Sequence, residues 1–323
     1  MDRILRLGTR GSPLALYQAN AVSAALARLA NVRCEIVVIK TSGDRLAEAT
    51  LSEIGGKRLF VKEIEEALET GVIDLAVHSS KDMPAVLPPG LVIAAVLPRE
   101  DPRDAIVLPA GAPAGSIDDV LARLGPTPRI GTSSVRRIAQ LTRLMPQATF
   151  LPIRGNLDTR LRKLDEGEFD AIVLAAAGLK RLERTARISA LISADACVPA
   201  PGQGIIAIEV RGHDTDVCDL VARIGDTGAR AALDAERTVV AALGGGCQMP
   251  IGAHARLDDA VLALTAVVTT LDGQRIVRAH VRSSADQAAS AGTAVAAELL
   301  AGGAADILEE VARIQRGTGG QTT

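Results

Sequence analysis

Apolar residues fall along this chain in two rhythms, short continuous runs and repeats at every third or fourth position. The alternation of the two predicts strands and helices in turn. A short strand at residues 6–10 runs into a turn. Ser12-Pro13 then opens a helix, with Ser as its cap and Pro in its first position. Leu14, Ala15, Ala19, Val22, Leu26 and Leu29 keep helical spacing behind it. Residues 32–40 are rich in strand formers, and 41–59 read as a long irregular loop of the kind that often serves as a lid. A helix over 60–70 ends at Gly71, and buried strands follow at 73–77 and 91–97.

The charged, proline-bearing stretch PREDPRD (98–104) interrupts the pattern as a linker or hinge. A second alternating unit follows it. Strands are expected at 105–108, 129–131, 148–153 and 170–175, with helices at 117–124, 134–144 and 157–166. VPAPGQG (198–204) is a second hinge-like stretch, and the strand at 205–210 can rejoin the first sheet. From residue 227 the order becomes helix, glycine loop, three strands, then helices at 285–300 and 304–316. Alternation of this kind predicts an α/β fold with two periplasmic-binding-protein-like lobes, each with a mainly parallel sheet, plus a smaller α+β C-terminal domain. The boundaries expected are 1–98 plus 203–223 for the first lobe, 104–198 for the second and 227–317 for the third domain.

Composition narrows the partners. Hydrophobic residues make up 48% of the chain, yet there is no Trp, one Tyr and three Phe, so aliphatic side chains must fill the cores. The same shortage argues against stacking on single-stranded nucleic acid. Cys34, Cys197, Cys218 and Cys247 form no C-x-x-C pair, which predicts reduced thiols and no metal site. The N-terminus lacks the apolar run of a signal peptide and no stretch reads as a membrane span; a cytoplasmic protein that binds no membrane is expected. Net charge is only −2, but residues 129–187 hold twelve Lys and Arg against six Asp and Glu. A basic segment inside an acidic chain predicts an anionic ligand held in one place.

Three polar clusters fall where strands end. Arg10-Gly11-Ser12 follows the first strand, the run from Thr132 through Ser134 to Arg136 and Arg137 follows the strand at 129–131, and Arg154-Gly155-Asn156 with Arg160 follows the strand at 148–153. Ligands of open α/β sheets bind beyond such ends, and arginine matches carboxylates two bonds at a time. One cluster alone would read as solvated surface; three at equivalent places point to a polycarboxylate or phosphate. Asp82, beside Lys81 in the turn after the strand at 73–77, would be a lone acid among arginines, able to stabilise a developing cation or move a proton. Its plain alternative is a turn-forming aspartate. His78 reads as a packed strand-end residue. Cys247, in GGGCQMP (244–250), stands on a loop where a thiol can react or carry a group, although a lone cysteine is more often an ordinary turn residue. The glycines at 202 and 204 match a dinucleotide fingerprint on paper, but they precede a strand rather than follow one.

RGSPLAL (10–16), GGKRLFVKE (55–63), AVHSSKDMP (76–84) and REDPRDA (99–105) resemble, in order, the signatures of the hydroxymethylbilane synthase, or porphobilinogen deaminase, family. GTSSVRR, RGNLDTRL, DAIVLAAAGLKRL, PGQG and GGGCQMP extend the resemblance over the whole chain. It implies a monomeric, cytoplasmic transferase of tetrapyrrole synthesis that joins four porphobilinogen molecules head to tail, with loss of ammonia. It also implies a dipyrromethane cofactor held by a thioether to Cys247, with Asp82 as the catalytic aspartate. On the same resemblance Ser12, Lys81, Thr132, Ser134, Arg136, Arg137, Arg154 and Arg160 would bind the cofactor. Arg10, Arg154, Arg160, Arg181 and Gln203 would bind substrate, and Lys57 and Phe60 would belong to a mobile loop beside the site. The family commonly has glutamate where this chain has Gly244. From the residues alone, a non-catalytic two-lobed binder of a polycarboxylate stays open as the alternative.

Overall fold

The computed structural model describes residues 4–30, 32–42, 61–246 and 248–318. Of the expected lid at 41–59, residues 43–59, Lys57 among them, lie outside the described residues, as do Phe60 and Cys247. The first lobe is built from β1 (Ile4–Thr9), α1 (Pro13–Ala30), β2 (Arg33–Val38), α2 (Lys62–Glu69), β3 (Leu75–Ser79) and β4 (Leu91–Val96). The second holds β5 (Asp104–Val107), α3 (Ile117–Leu124), β6 (Arg129–Gly131), α4 (Val135–Leu141), β7 (Thr149–Leu151), α5 (Leu157–Asp165), β8 (Ala171–Ala175), α6 (Ala176–Arg181) and β9 (Ala190–Leu191). The chain then returns through β10 (Ile206–Arg211) and α7 (Thr215–Ala222) to the first lobe. Pattern reading missed α6, whose six residues are too few to show a helical repeat, and α7.

The first sheet has the order β2-β1-β3-β10-β4 and the second β7-β6-β8-β5-β9. In each, four strands run one way and one is reversed: β10 against β3 and β4, and β5 against β8 and β9. The reversal has a simple cause. β5 and β10 are the strands the chain enters straight from a crossing between lobes. Asp104 thus starts β5 opposite Ala175, where β8 ends, and Ile206 starts β10 opposite Ser79, where β3 ends. Both crossings therefore lie at the edge where the parallel strands finish, the edge at which such sheets bind ligands.

Aliphatic side chains fill the cores, as composition demands. Leu5, Leu7, Leu26, Val77, Ile208 and Val221 share one cluster beneath the first sheet, and Ile106, Ile130, Leu141 and Val173 share one in the second lobe. Each such burial stabilises by about 1.5–3 kcal/mol. The third domain stacks α8 (Thr227–Ala242), α9 (Ala288–Ala301) and α10 (Ala304–Thr318) on an antiparallel meander of β11 (Ile251–Asp258), β12 (Val261–Thr269) and β13 (Ile276–Ser284). Alternate residues Leu262, Leu264, Ala266 and Val268 of β12 point into its core. Among the described residues no single helix is long and apolar enough to cross a membrane.

The crossings, expected as hinges, are tied to one another. The Glu100 amide donates to Gly204 O at 3.0 Å, and Arg99 Nε donates to Gln203 O at 2.9 Å. Glycine is required here by contact: a Cβ at Gly204 would lie 2.3 Å from Glu100 O, and one at Gly202 would lie 2.5 Å from Ser80 Oγ. Glu236, fully buried in α8, then fastens the pair to the third domain. Its carboxylate accepts from Arg99 Nη1 at 2.6 Å, from the Gly202 amide at 2.6 Å and from the Ala255 amide at 2.7 Å. Removing one partner of a buried charged pair costs about 3–5 kcal/mol. Glu236→Ala should therefore lower the denaturant midpoint strongly, and Glu236→Gln, which keeps an acceptor, should lower it less. An unchanged midpoint in Glu236→Ala would show that these contacts do not stabilise the junction.

Candidate functional site

A cavity of about 850 Å³ opens between the lobes at this edge. The first lobe lines it with Arg10, Ser12, Lys81 and Asp82, and the second with Arg137, Arg154, Arg160 and Arg181. The local sequence explains the placement. Each of three turns that follow a strand passes into a helix through a side-chain cap, and the cap fixes the direction in which the turn leaves the sheet. Ser12 Oγ accepts from the Ala15 amide at 3.3 Å, Ser134 Oγ from the Arg137 amide at 3.4 Å, and Asn156 Oδ1 from the Thr159 amide at 2.9 Å. Asp82 closes a single turn of 3₁₀ helix after β3, and its side chain is exposed to the cleft.

Four of the anticipated contact residues build the wall and do not line the cavity. Thr132 is buried, and its Oγ1 accepts from the Ser134 amide at 3.2 Å, while the Ser134 hydroxyl is used as a cap. Arg136 is buried and donates to Val198 O at 2.8 Å and to Asp104 Oδ2 at 2.8 Å. The Gln203 amide donates to Pro102 O at 2.6 Å and to Asp104 Oδ1 at 3.0 Å. Arg137 does line the cavity, but it too is engaged, by Asp104 and by Val173 O.

Asp82 is accordingly not the lone acid among the arginines: Asp158 lines the same cavity, and Asp104 lies behind its wall. Asp104, fully buried at the start of β5, was legible only as the end of a charged linker. The signal available was its position: an acid that opens a buried strand must find partners. Its carboxylate accepts from Arg136, from Arg137 and from Gln203, with Cys197 Sγ 3.5 Å away. Burial alone would raise the Asp104 pKa, but Arg136 and Arg137 hold it well below the usual carboxylate range. The neighbouring Cys197 thiol is pushed up to about 12, chiefly by burial, and stays protonated. Gln18 was also missed. It is buried at the cleft and exchanges hydrogen bonds with the Ser79 hydroxyl at 2.8 and 3.1 Å. His78 is packed, as expected, with Nε2 3.0 Å from Glu209 Oε2 on the neighbouring strand.

Positive charge remains in excess. Arg154 has no hydrogen bond or ion pair among the described residues. Arg160 donates to Gly155 O at 2.8 Å, and its pKa is brought down to about 10 by burial and by Arg137 and Arg154. Lys81 is brought down to about 8, mainly by burial, with Arg137 and Arg136 adding to the fall and Asp82 and Asp104 opposing it. Cations that repel one another in an enclosed cleft suit a ligand with several carboxylates, which is the character of a dipyrromethane bearing acetate and propionate groups. The loop that bears Cys247 leaves α8 through a glycine turn. The Gly245 amide donates to Val240 O at 3.0 Å and the Gly244 amide to Ala241 O at 3.1 Å, with Gly244 at φ +62°. Glutamate at 244 would be strained in that left-handed conformation. On the far side of Cys247, Gln248 O accepts from Gln315 Nε2 at 2.9 Å.

Two family models match the chain. The porphobilinogen deaminase, dipyromethane cofactor binding domain, matches residues 5–219, and the porphobilinogen deaminase, C-terminal domain, matches residues 231–301. A porphobilinogen deaminase of Syntrophobacter fumaroxidans is 47% identical over 97% of this chain and 99% of its own length. One from a Roseiflexus species is 49% identical over 93% of this chain and 97% of its own. Among solved structures, the BvgS periplasmic VFT2 domain of Bordetella pertussis aligns with 68% of this chain and 86% of its own, at 18% identity and a TM-score of 0.40.

The depressed Lys81 predicts a pH dependence. Its folded pKa of about 8 lies below the ordinary 10.5, so its charged form destabilises the ligand-free fold below about pH 8. That penalty is relieved between about pH 8 and 10.5, where the ligand-free protein gains stability while the cleft loses a cation. Citrate, as a polycarboxylate probe, should raise the thermal midpoint more at pH 7 than at pH 9, and Lys81→Arg should remove the difference. An equal citrate effect at both pH values in the parent protein would exclude Lys81 from anion binding.

Proposed function

This chain belongs to the porphobilinogen deaminase family, and from that premise we propose that it condenses four porphobilinogen molecules head to tail into linear hydroxymethylbilane. The observation that carries the reading is the convergence of cations from both lobes on one cavity around the exposed Asp82. Each pyrrole ring brings an acetate and a propionate, so every added unit increases the negative charge to be held. In each condensation the bond between the aminomethyl carbon and nitrogen of porphobilinogen breaks and ammonia leaves. The electron-poor azafulvenium that remains forms a carbon–carbon bond with the α-carbon of a terminal pyrrole, which then gives up its proton. After four additions the bond joining the new tetrapyrrole to its primer breaks, a proton returns to the primer carbon, and water supplies the hydroxyl of the released hydroxymethylbilane.

Asp82 fits the two needs of that step. As a carboxylate it stabilises the cation through the ring N–H, and it stands where the released proton can be accepted. Arg154 and Arg160, with Arg10 and Ser12 opposite, grip carboxylates and fix the rings relative to Asp82. Arg181, anchored by its 2.7 Å bond to Gly204 O, and Lys81 complete the rim of positive charge. Arg136, Gln203, Thr132 and Ser134 keep this array in place from behind. These cations, with a thioether to Cys247, would hold a dipyrromethane, which when bound would supply the terminal pyrrole on which the chain grows. Lys57 and Phe60 are assigned to a loop beside the site, and a monomer in the cytoplasm completes the proposal. The non-catalytic binder is set aside, because family membership supplies the chemistry that a binder lacks.

Two outcomes test the assignment. The active protein should be heavier than its sequence by two pyrrole units, with the excess on the proteolytic peptide that contains Cys247. Unmodified Cys247 in protein that still turns over porphobilinogen would exclude the thioether. Asp82→Asn should lower kcat about a hundredfold or more, corresponding to ~3 kcal/mol for loss of one stabilising group, while the cofactor remains attached. Near-normal turnover in Asp82→Asn would remove it from catalysis.

A further inference from the structure

We infer that Asp104 is a positioning residue for this reaction: its carboxylate holds Arg136 and Arg137 side by side against their repulsion and, through Gln203, sets Lys81 across the cleft. The inference rests on the functional reading above for its relevance to turnover. Its geometry stands independently. Arg136 Nη2 donates to Oδ2 at 2.8 Å, and Arg137 donates to Oδ1 through Nε at 3.0 Å and Nη2 at 2.8 Å. The Gln203 amide donates to Oδ1 at 3.0 Å, and its own oxygen faces Lys81 Nζ at 3.5 Å. One carboxylate at the start of β5 thus reaches α4 of the second lobe, the second crossing and, by one further contact, the first lobe beside Asp82.

The charge count shows why an acid is needed. Arg136 and Arg137 are adjacent, both buried, and neither can release its proton. Without Asp104 two cations would share a dry wall with no counter-charge, which is costly enough to splay them or open the crossing. With it the cluster carries a single net positive charge, and Arg137 keeps its face to the cavity. Asp104 also acts at a distance on Lys81. That amine has Asp82 beside it in its own lobe and the Gln203 oxygen 3.5 Å away in the crossing, with Arg10 and Lys40 of the same lobe lining the same cavity. From the second lobe the charges of Asp104, Arg136 and Arg137 act on it, and Arg154, Asp158, Arg160 and Arg181 line the rest of the cavity. Of these, Asp82 and Asp104 favour its charged form, while Arg136 and Arg137 oppose it.

A merely structural residue and a positioning counter-charge make different predictions for Lys81. Protein carrying 13Cε-labelled lysine should be titrated by NMR as the parent, Asp104→Asn, Arg136→Gln and the double variant, with Lys81→Arg identifying the resonance. Asp104→Asn should move the Lys81 midpoint down by about one pH unit or more, and Arg136→Gln should move it up. The double variant should return towards the parent. In steady state the alkaline limb of kcat/KM should follow the same order, and Asp104→Glu should restore most of the loss seen with Asn. Midpoints that do not move in folded variants, or that move the same way in both single variants, would overturn the inference. If Asp104→Asn does not fold, the upward shift in Arg136→Gln still decides it, since a fixed or lowered midpoint there is incompatible with the arrangement. The titration needs no turnover. A parent protein that titrates as expected but does not consume porphobilinogen would defeat the functional reading and leave this inference intact.

Discussion

Like charge crowded into one cleft is the constraint to which the rest of the architecture answers. The strands of both lobes end at a common edge, and the turns there deliver Arg10, Lys81, Arg137, Arg154, Arg160 and Arg181 to one cavity. Before any anion arrives, these groups must be kept apart and partly satisfied. Main-chain oxygens do much of this. Val173 O accepts from Arg137, Gly155 O from Arg160 and Gly204 O from Arg181. Carbonyl dipoles orient a guanidinium without cancelling its charge, so Arg160 and Arg181 are fixed yet remain cationic, whereas Arg137 is also paired with Asp104. Burial first, and the neighbouring arginines after it, lower the pKa values of Lys81 and Arg160. Electrostatic preorganisation of this kind means that little has to reorganise when charge develops.

How much of this could be read from the chain depends on the reach of each interaction. The strands at 73–77 and 91–97 and the helices at 117–124 and 157–166 were legible because local apolar patterning sets them. The return of residues 205–210 to the first sheet could be anticipated because a strand leaving a proline- and glycine-rich crossing needs a sheet to join. The family motifs gave roles to Cys247 and Asp82 that periodicity could not. What stayed hidden is carried by contacts between distant residues. Asp104 meets Arg136 across 32 residues, Cys197 across 93 and Gln203 across 99. Glu236 has the look of a surface position in a mixed helix, yet it is fully buried and its partner Arg99 lies 137 residues away. Arg136 and Gln203 read as ligand contacts from residue type, which shows what a side chain can bind and not that Asp104 also engages them. The crossings illustrate the point from the backbone side. Their prolines and glycines favour turns, but only the fold reveals that those glycines exist to let two chain segments press together.

The fastening of α8 to the paired crossings has a mechanical consequence. A body attached at a pivot travels least when the arms on either side swing, just as the fulcrum of a lever stays still while its ends move. Glu236 attaches the third domain to Arg99 in one crossing and to Gly202 in the other, which is where any rotation of one lobe against the other would have its axis. The glycine turn that ends α8 begins within the same helix, two turns beyond that attachment. The chain that follows α8 therefore departs close to that axis, and because the cavity mouth lies out along the lobes, any given rotation at the crossings would be larger there than at the end of α8.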